Sequence, residues 1–120
     1  MIDDEDKFRI IDMINSANEA VGFLDKLSLG EYAVDNRTYR ACERCLEIIG
    51  EAANKVSVGC QSKLKEIEWS KAIGMRHTLI HGYGSVRHEI VYNTIVRDLP
   101  QPIEKLEKII ANSETGDTAQ

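Results

Sequence analysis

Residues 75–83 read MRHTLIHGY, which places an arginine, two histidines and a tyrosine within nine positions and no carboxylate among them. All three histidines of the chain, His77, His81 and His88, fall within twelve consecutive positions. From Trp69 to His88 the charged residues are Lys71, Arg76 and Arg87, so this window carries +3 and the remainder −8, against a total of −5. The combination suits phosphodiester chemistry without a metal. Cleaving RNA in that way takes a base for the 2′-hydroxyl proton, an acid for the leaving 5′-oxygen and a fixed cation for the phosphorane charge. Histidine titrates near neutrality and can fill the first two roles, while arginine grips phosphate oxygens with a planar, permanently charged fork. Carboxylates would repel the phosphodiester, and none is present.

Spacing alone leaves other readings open. A histidine beside apolar residues on a helix is commonly a packed or capping residue, and His81 near a helix C-terminus would gain from the dipole. His77 and His81 also stand at the i, i+4 spacing of two zinc ligands, but without the intervening glutamate or an evident third ligand. Tyr83 is by default a half-buried aromatic, and His88 is expected as a solvated residue in the first turn of the next helix. On a continuous helix Arg76 and His81 would point about 140° apart. A compact site using both needs the helix to end at His81, or a second copy of the chain to supply complementary groups.

The elements that must position these residues read as helices. The first runs from about Asp4 to Leu27, with Phe8, Ile11, Ile14, Val21, Leu24 and Leu27 as its apolar stripe and Ala17 and Ala20 filling close contacts. Ser28 to Asp35 breaks the pattern, and Asp35 or Asn36 can cap a second helix from about Asn36 to Val56. Its stripe of Tyr39, Cys42, Leu46, Ile49, Ala53 and Val56, widened by Cys45, Ile48 and Ala52, is broad enough to require two neighbours, from the same chain or from a partner subunit. Ser57 to Ser62 reads as a polar loop, and a third helix from Trp69 to His81 carries the MRHTLIHGY stretch before Gly82 and Gly84 stop it. A fourth runs from Arg87 to Asp98 with Ile90, Val91, Thr94 and Ile95 inward, and Pro100 and Pro102 open a fifth. The spacing therefore predicts an all-α, up-and-down bundle of four to five helices over residues 1–112. Residues 113–120, small and polar, read as a disordered tail.

At 120 residues there is material for one core, in which roughly two-thirds of the unfolded surface would be buried. The net acidity argues against non-specific coating of nucleic acid, and leaves room for a local anion site. The acidic start, MIDDEDK, reads as neither secretory signal nor transit peptide, and no apolar run approaches the ~20 residues of a membrane span, so a cytoplasmic protein is expected. Cys42, Cys45 and Cys60 are read as reduced thiols packed in a helical core. No cofactor or metal is expected.

Arg76-x-x-x-x-His81-x-Tyr83 matches the R-x4-H-x-Y motif of HepT-like toxins, a branch of the HEPN superfamily of small helical ribonucleases. The chain resembles that family over residues 5–110, including the IGEAA segment of the second helix and the order Trp69, IGMRHTLIHGY, IVYNTIVRDLP. The resemblance implies a metal-independent RNase acting as a homodimer, with the motifs of two protomers meeting at the interface. It gives Arg76 the scissile phosphate, His81 general acid or base work, and His77 an orienting role. It also implies a type VII-like toxin–antitoxin pairing, in which an MntA-type nucleotidyltransferase antitoxin transfers AMP to Tyr83. A phosphate-bearing adduct there would put negative charge where the RNA phosphate must sit. Some HEPN proteins serve as non-catalytic partners or substrate-binding subunits of nucleotidyltransferases, and that binding role is the alternative expectation. A plain dimerisation bundle would explain the apolar faces but not the acid-free window.

Overall fold

The computed structural model describes residues 2–75, 79 and 84–119, with side chains described through residue 114. Among the described residues the regular structure is helical throughout, as expected, but divided into more pieces than four or five. The first helix, α1 (Asp4–Phe23), starts where the Asp3 carboxylate accepts from the Asp6 N–H at 2.8 Å, with Asp4, Glu5 and Asp6 favourably placed against the dipole. Helix α3 (Asn36–Lys55) is opened in the same way by Asp35, which accepts from the Thr38 N–H at 3.1 Å. Cys42 lies against the Ala20 carbonyl at one end of this pair, and Asp6 is bonded to Ser57 at the other, so α1 and α3 run antiparallel and form the spine of the molecule. Ile10, Met13, Ala17, Ala20, Cys42, Leu46, Ile49 and Ala53 close the seam between them, each at most 3% exposed.

The inward face of α1 is rotated from the one expected. Ile14, Ala17, Ala20 and Leu24 are buried as read, but Phe8 is 58% exposed and Val21 37%, and Ile10 and Met13 take their places. The helix is apolar on two sides, and the side that faces α3 is the one with small residues, where the backbones can approach.

Two segments expected as loops are short helices. Ser28 and Glu31 form a reciprocal capping box, Ser28 N–H to Glu31 Oε1 at 2.9 Å and Glu31 N–H to Ser28 Oγ at 3.1 Å, and this launches α2 (Leu29–Val34). Ser57 caps α4 (Val58–Lys63) through its bond from the Cys60 N–H. The buried Asp6 carboxylate accepts from both the Ser57 N–H, at 2.8 Å, and the Ser57 hydroxyl, at 2.6 Å, which ties α4 to the start of α1.

Helix α5 (Trp69–Ile73) follows, with the Trp69 indole N–H donating to the Leu64 carbonyl at 2.9 Å. The expected continuous third helix is interrupted at Gly74, whose N–H reaches back to the Ser70 carbonyl; Met75 and Leu79 are again helical. Helix α6 (Gly84–Asn93) passes into a π-helical turn over Thr94–Asp98, and Pro100 then starts α7 (Pro100–Ala119), the proline standing where a missing N–H costs nothing. Val91, Ile95, Ile103 and Leu106 from these elements complete the core, while Ile90, expected inward, is 38% exposed. The broad apolar face of α3 is covered within the chain by α1, α2, α5 and α6. No helix among the described residues is long and apolar enough to cross a membrane.

Candidate active site

Arg76, His77, His81 and Tyr83 lie outside the described residues, so the site is built from what enters and leaves it. On the entering side, Trp69 and Ala72 fix α5 in the core. Gly74 turns the chain where space is short, since a Cβ there would stand 3.1 Å from the Ser70 carbonyl oxygen. Met75, the residue before Arg76, packs half-buried against the core. Within the stretch, Leu79 is 3% exposed and belongs to the core, which pins the backbone midway between Arg76 and His81 in sequence.

The leaving side begins at Gly84, directly after Tyr83, with a φ of +54° that favours a residue without Cβ. Helix α6 is then fastened by three long-range contacts. Arg87 forms a fork with Glu43 of α3, Nε to Oε2 at 3.0 Å and Nη2 to Oε1 at 2.9 Å. His88 packs its ring 4.4 Å from that of Tyr39 and 5.7 Å from that of Tyr32, centroid to centroid. The Tyr92 hydroxyl donates to the Leu27 carbonyl at 2.5 Å. His88 is thus no solvated first-turn residue: its Nδ1 is buried and, like the Tyr32 hydroxyl, has no hydrogen-bond partner among the described residues. Burial first, and the neighbouring Cys42 and Glu43 next, hold the Tyr32 phenol above the usual tyrosine range. Sequence reasoning missed Tyr32 and Glu43 as supports of the site. No local pattern marks them, because their partners on α6, His88 and Arg87, lie more than forty residues away.

The fork changes the charge account of the acid-free window. Glu43 neutralises Arg87 from outside it, so the window's described cation without a carboxylate partner is Lys71. The three cysteines are free and buried, and burial pushes the Cys42 thiol up to about 12 and the Cys45 thiol to about 11, and raises Cys60. At neutral pH they are protonated and poor nucleophiles or ligands. Among the described residues no group of three histidines, cysteines or carboxylates is arranged to hold a metal ion.

A helical hairpin with satellite helices before and after an R-x4-H-x-Y segment is compatible with a helical bundle of the HEPN type. The chain belongs to the HepT-like family: the family model described as "Ribonuclease HepT-like" matches residues 13–109, the motif included. It is 27% identical over 108 residues to a Methanocaldococcus jannaschii protein that carries the name RNase, covering 90% of this chain and 89% of that one. A Caldanaerobacter subterraneus protein, also named as an RNase, is 35% identical over 84 residues, 70% of this chain and 75% of the other. The probable ribonuclease HepT of Thermococcus cleftensis is 32% identical over 87 residues, 72% and 79% of the two chains. No solved structure matches.

Proposed function

We propose that the protein is the toxin of a type VII-like toxin–antitoxin pair, a metal-independent endoribonuclease that acts as a homodimer. The observation that carries this is the intact R-x4-H-x-Y motif inside the family match. In this mechanism a base removes the 2′-hydroxyl proton, the 2′-oxygen attacks phosphorus, and the P–O5′ bond breaks as an acid protonates the departing oxygen. The products are a 2′,3′-cyclic phosphate and a free 5′-hydroxyl. Arg76 stabilises the negative charge of the phosphorane, His81 moves one of the two protons, and His77 orients the substrate. The other proton falls to the second protomer's copy of the motif or to water.

Support for the homodimer comes from α6, whose Val86 (58% exposed) and Ile90 (38% exposed) stand one turn apart on a face just beyond the motif. Pairing two such faces would join the α6 helices of two chains, each of which begins at Gly84, the residue after Tyr83. In this reading a nucleotidyltransferase antitoxin silences the enzyme by transferring AMP to Tyr83.

The test is incubation of purified protein with total RNA in EDTA beside the His81→Ala variant. Cleavage by the wild type alone, leaving 2′,3′-cyclic phosphate ends, is the expected result. No cleavage by wild type shown by mass to carry no AMP would overturn it and point to an inert partner of a nucleotidyltransferase.

A further inference from the structure

A groove of about 220 Å³ opens between α5 and the π-helical turn. Its floor is apolar and includes Met13 and Met75; its rim carries Lys71 and Arg97, Glu68 and Asp98, and the amide of Gln101. Among the described residues neither cation is closed by a carboxylate in an ion pair. These groups face solvent over an apolar cleft, which is the composition of a small-molecule site.

The second observation is the turn itself. The Leu99 N–H reaches the Thr94 carbonyl five residues back, at 3.0 Å, so one residue more than an α-helical turn is accommodated here. Thr94 Oγ1 meanwhile donates to the Ile90 carbonyl at 2.7 Å. Such turns are rare and are frequently found at functional sites. This one lines the groove with Thr94, Arg97 and Asp98. The third is position: Met75 lines the floor and Arg76 is the next residue of the chain.

Two cations, two carboxylates and an amide give a rim without net charge, which does not select a bare anion. It suits a neutral planar group with donors and acceptors along its edge, and soft methionine side chains adapt to a flat ring. Unpaired RNA bases are such groups, and proteins recognise them by stacking and by bonds to their edges. We propose that this groove takes one unpaired base near the scissile phosphate, with Arg97, Asp98 and Gln101 reading its edge. The choice of ligand rests on the ribonuclease reading.

Two experiments test it. End-sequencing of fragments from a randomised RNA should show a base preference at one position beside the cut, and Arg97→Gln and Asp98→Asn should each weaken it roughly tenfold, about 1.4 kcal/mol. The control Lys55→Gln, on the far end of α3, should retain it. Cleavage without preference in the wild type, or an unchanged preference in both variants, would overturn the proposal. The second experiment needs no cleavage. The ¹³C-methyl signals of Met13 and Met75 should shift with nucleoside 5′-monophosphates and not with ribose 5-phosphate, Met1 serving as reference. Equal shifts with both, or with neither, would overturn the base site; shifts with nucleotides from a protein that cuts no RNA would leave the groove standing and sink the ribonuclease reading. Displacement of the nucleotide signal by a peptide but not by RNA would assign the groove to a protein partner and overturn the proposal.

Discussion

His88 is the residue whose substitution tests the packing argument most sharply, because two changes at one position should act in opposite directions. Its ring lies against Tyr39 and Tyr32 at 4.4 and 5.7 Å, and its Nδ1 is buried without a partner among the described residues. Truncation in His88→Ala removes the ring contacts and leaves a cavity, a loss of about 2–4 kcal/mol. His88→Phe keeps the ring and deletes the unpaired nitrogen, whose burial costs about 1–3 kcal/mol, while the slightly larger ring returns about 1 kcal/mol of that as crowding. The phenylalanine variant should therefore match or exceed wild type by up to about 2 kcal/mol. In urea, at a slope of roughly 1–3 kcal/mol per molar, the alanine midpoint should fall by about 1–2 M and the phenylalanine midpoint should hold or rise. If His88→Phe lost as much as His88→Ala, the nitrogen would be making a bond that holds α6, and the orphan-group reasoning would be wrong.

Three further outcomes follow from other parts of the molecule. Ser57→Ala removes both the α4 cap and the 2.6 Å bond to the buried Asp6 carboxylate, and should cost about 2–3 kcal/mol, or roughly 10 °C in a thermal melt. The buried thiols make stability fall at alkaline pH. With folded values pushed from 9.0 up to about 12 for Cys42 and about 11 for Cys45, their contribution is complete below pH 9 and is lost as pH rises towards those values, because only the unfolded chain releases the protons. The slope is at most about 1.4 kcal/mol per pH unit for each thiol, and denaturation of Cys42→Ala should show one proton less. Finally, a cognate nucleotidyltransferase with ATP should add AMP mass to the wild type and none to Tyr83→Phe, measured on intact protein; unchanged labelling of the variant would move the site elsewhere.

The long helices were legible because their signals are local: Asp35 before a wide apolar stripe announces α3, and Pro100 announces α7. Helix α2 was missed although Ser28-x-x-Glu31 spells a capping box, since Gly30 suggested a break. The seam of α1 is ambiguous in sequence because the helix is apolar on two sides, and Ile10 and Met13, beside Ala17 and Ala20, face the core in place of Phe8 and Val21. His88 could not be placed from sequence because its environment comes from Tyr32 and Tyr39, more than forty positions away. The motif residues were visible as types and spacing, whereas the clamps on either side, Gly74 and the Arg87–Glu43 fork, are tertiary facts.

The same fork bears on how RNA would be held. A sequence window of +3 suggests a patch that attracts phosphates by charge, yet Glu43 cancels Arg87, and the whole chain is at −5. If contact is confined to this window, its sequence offers Lys71 and Arg76 to phosphates once Arg87 is answered by Glu43. For single strands the logarithm of affinity changes with the logarithm of salt by about 0.7 per phosphate contact, so two contacts per chain give a slope near −1.4. Binding that shallow in salt cannot come from general attraction to the backbone. In the proposed ribonuclease, discrimination would then fall to contacts with bases or to the shape of a paired cleft, and the neutral, mixed-sign rim of the groove beside Met75 is the surface to which we assign that role.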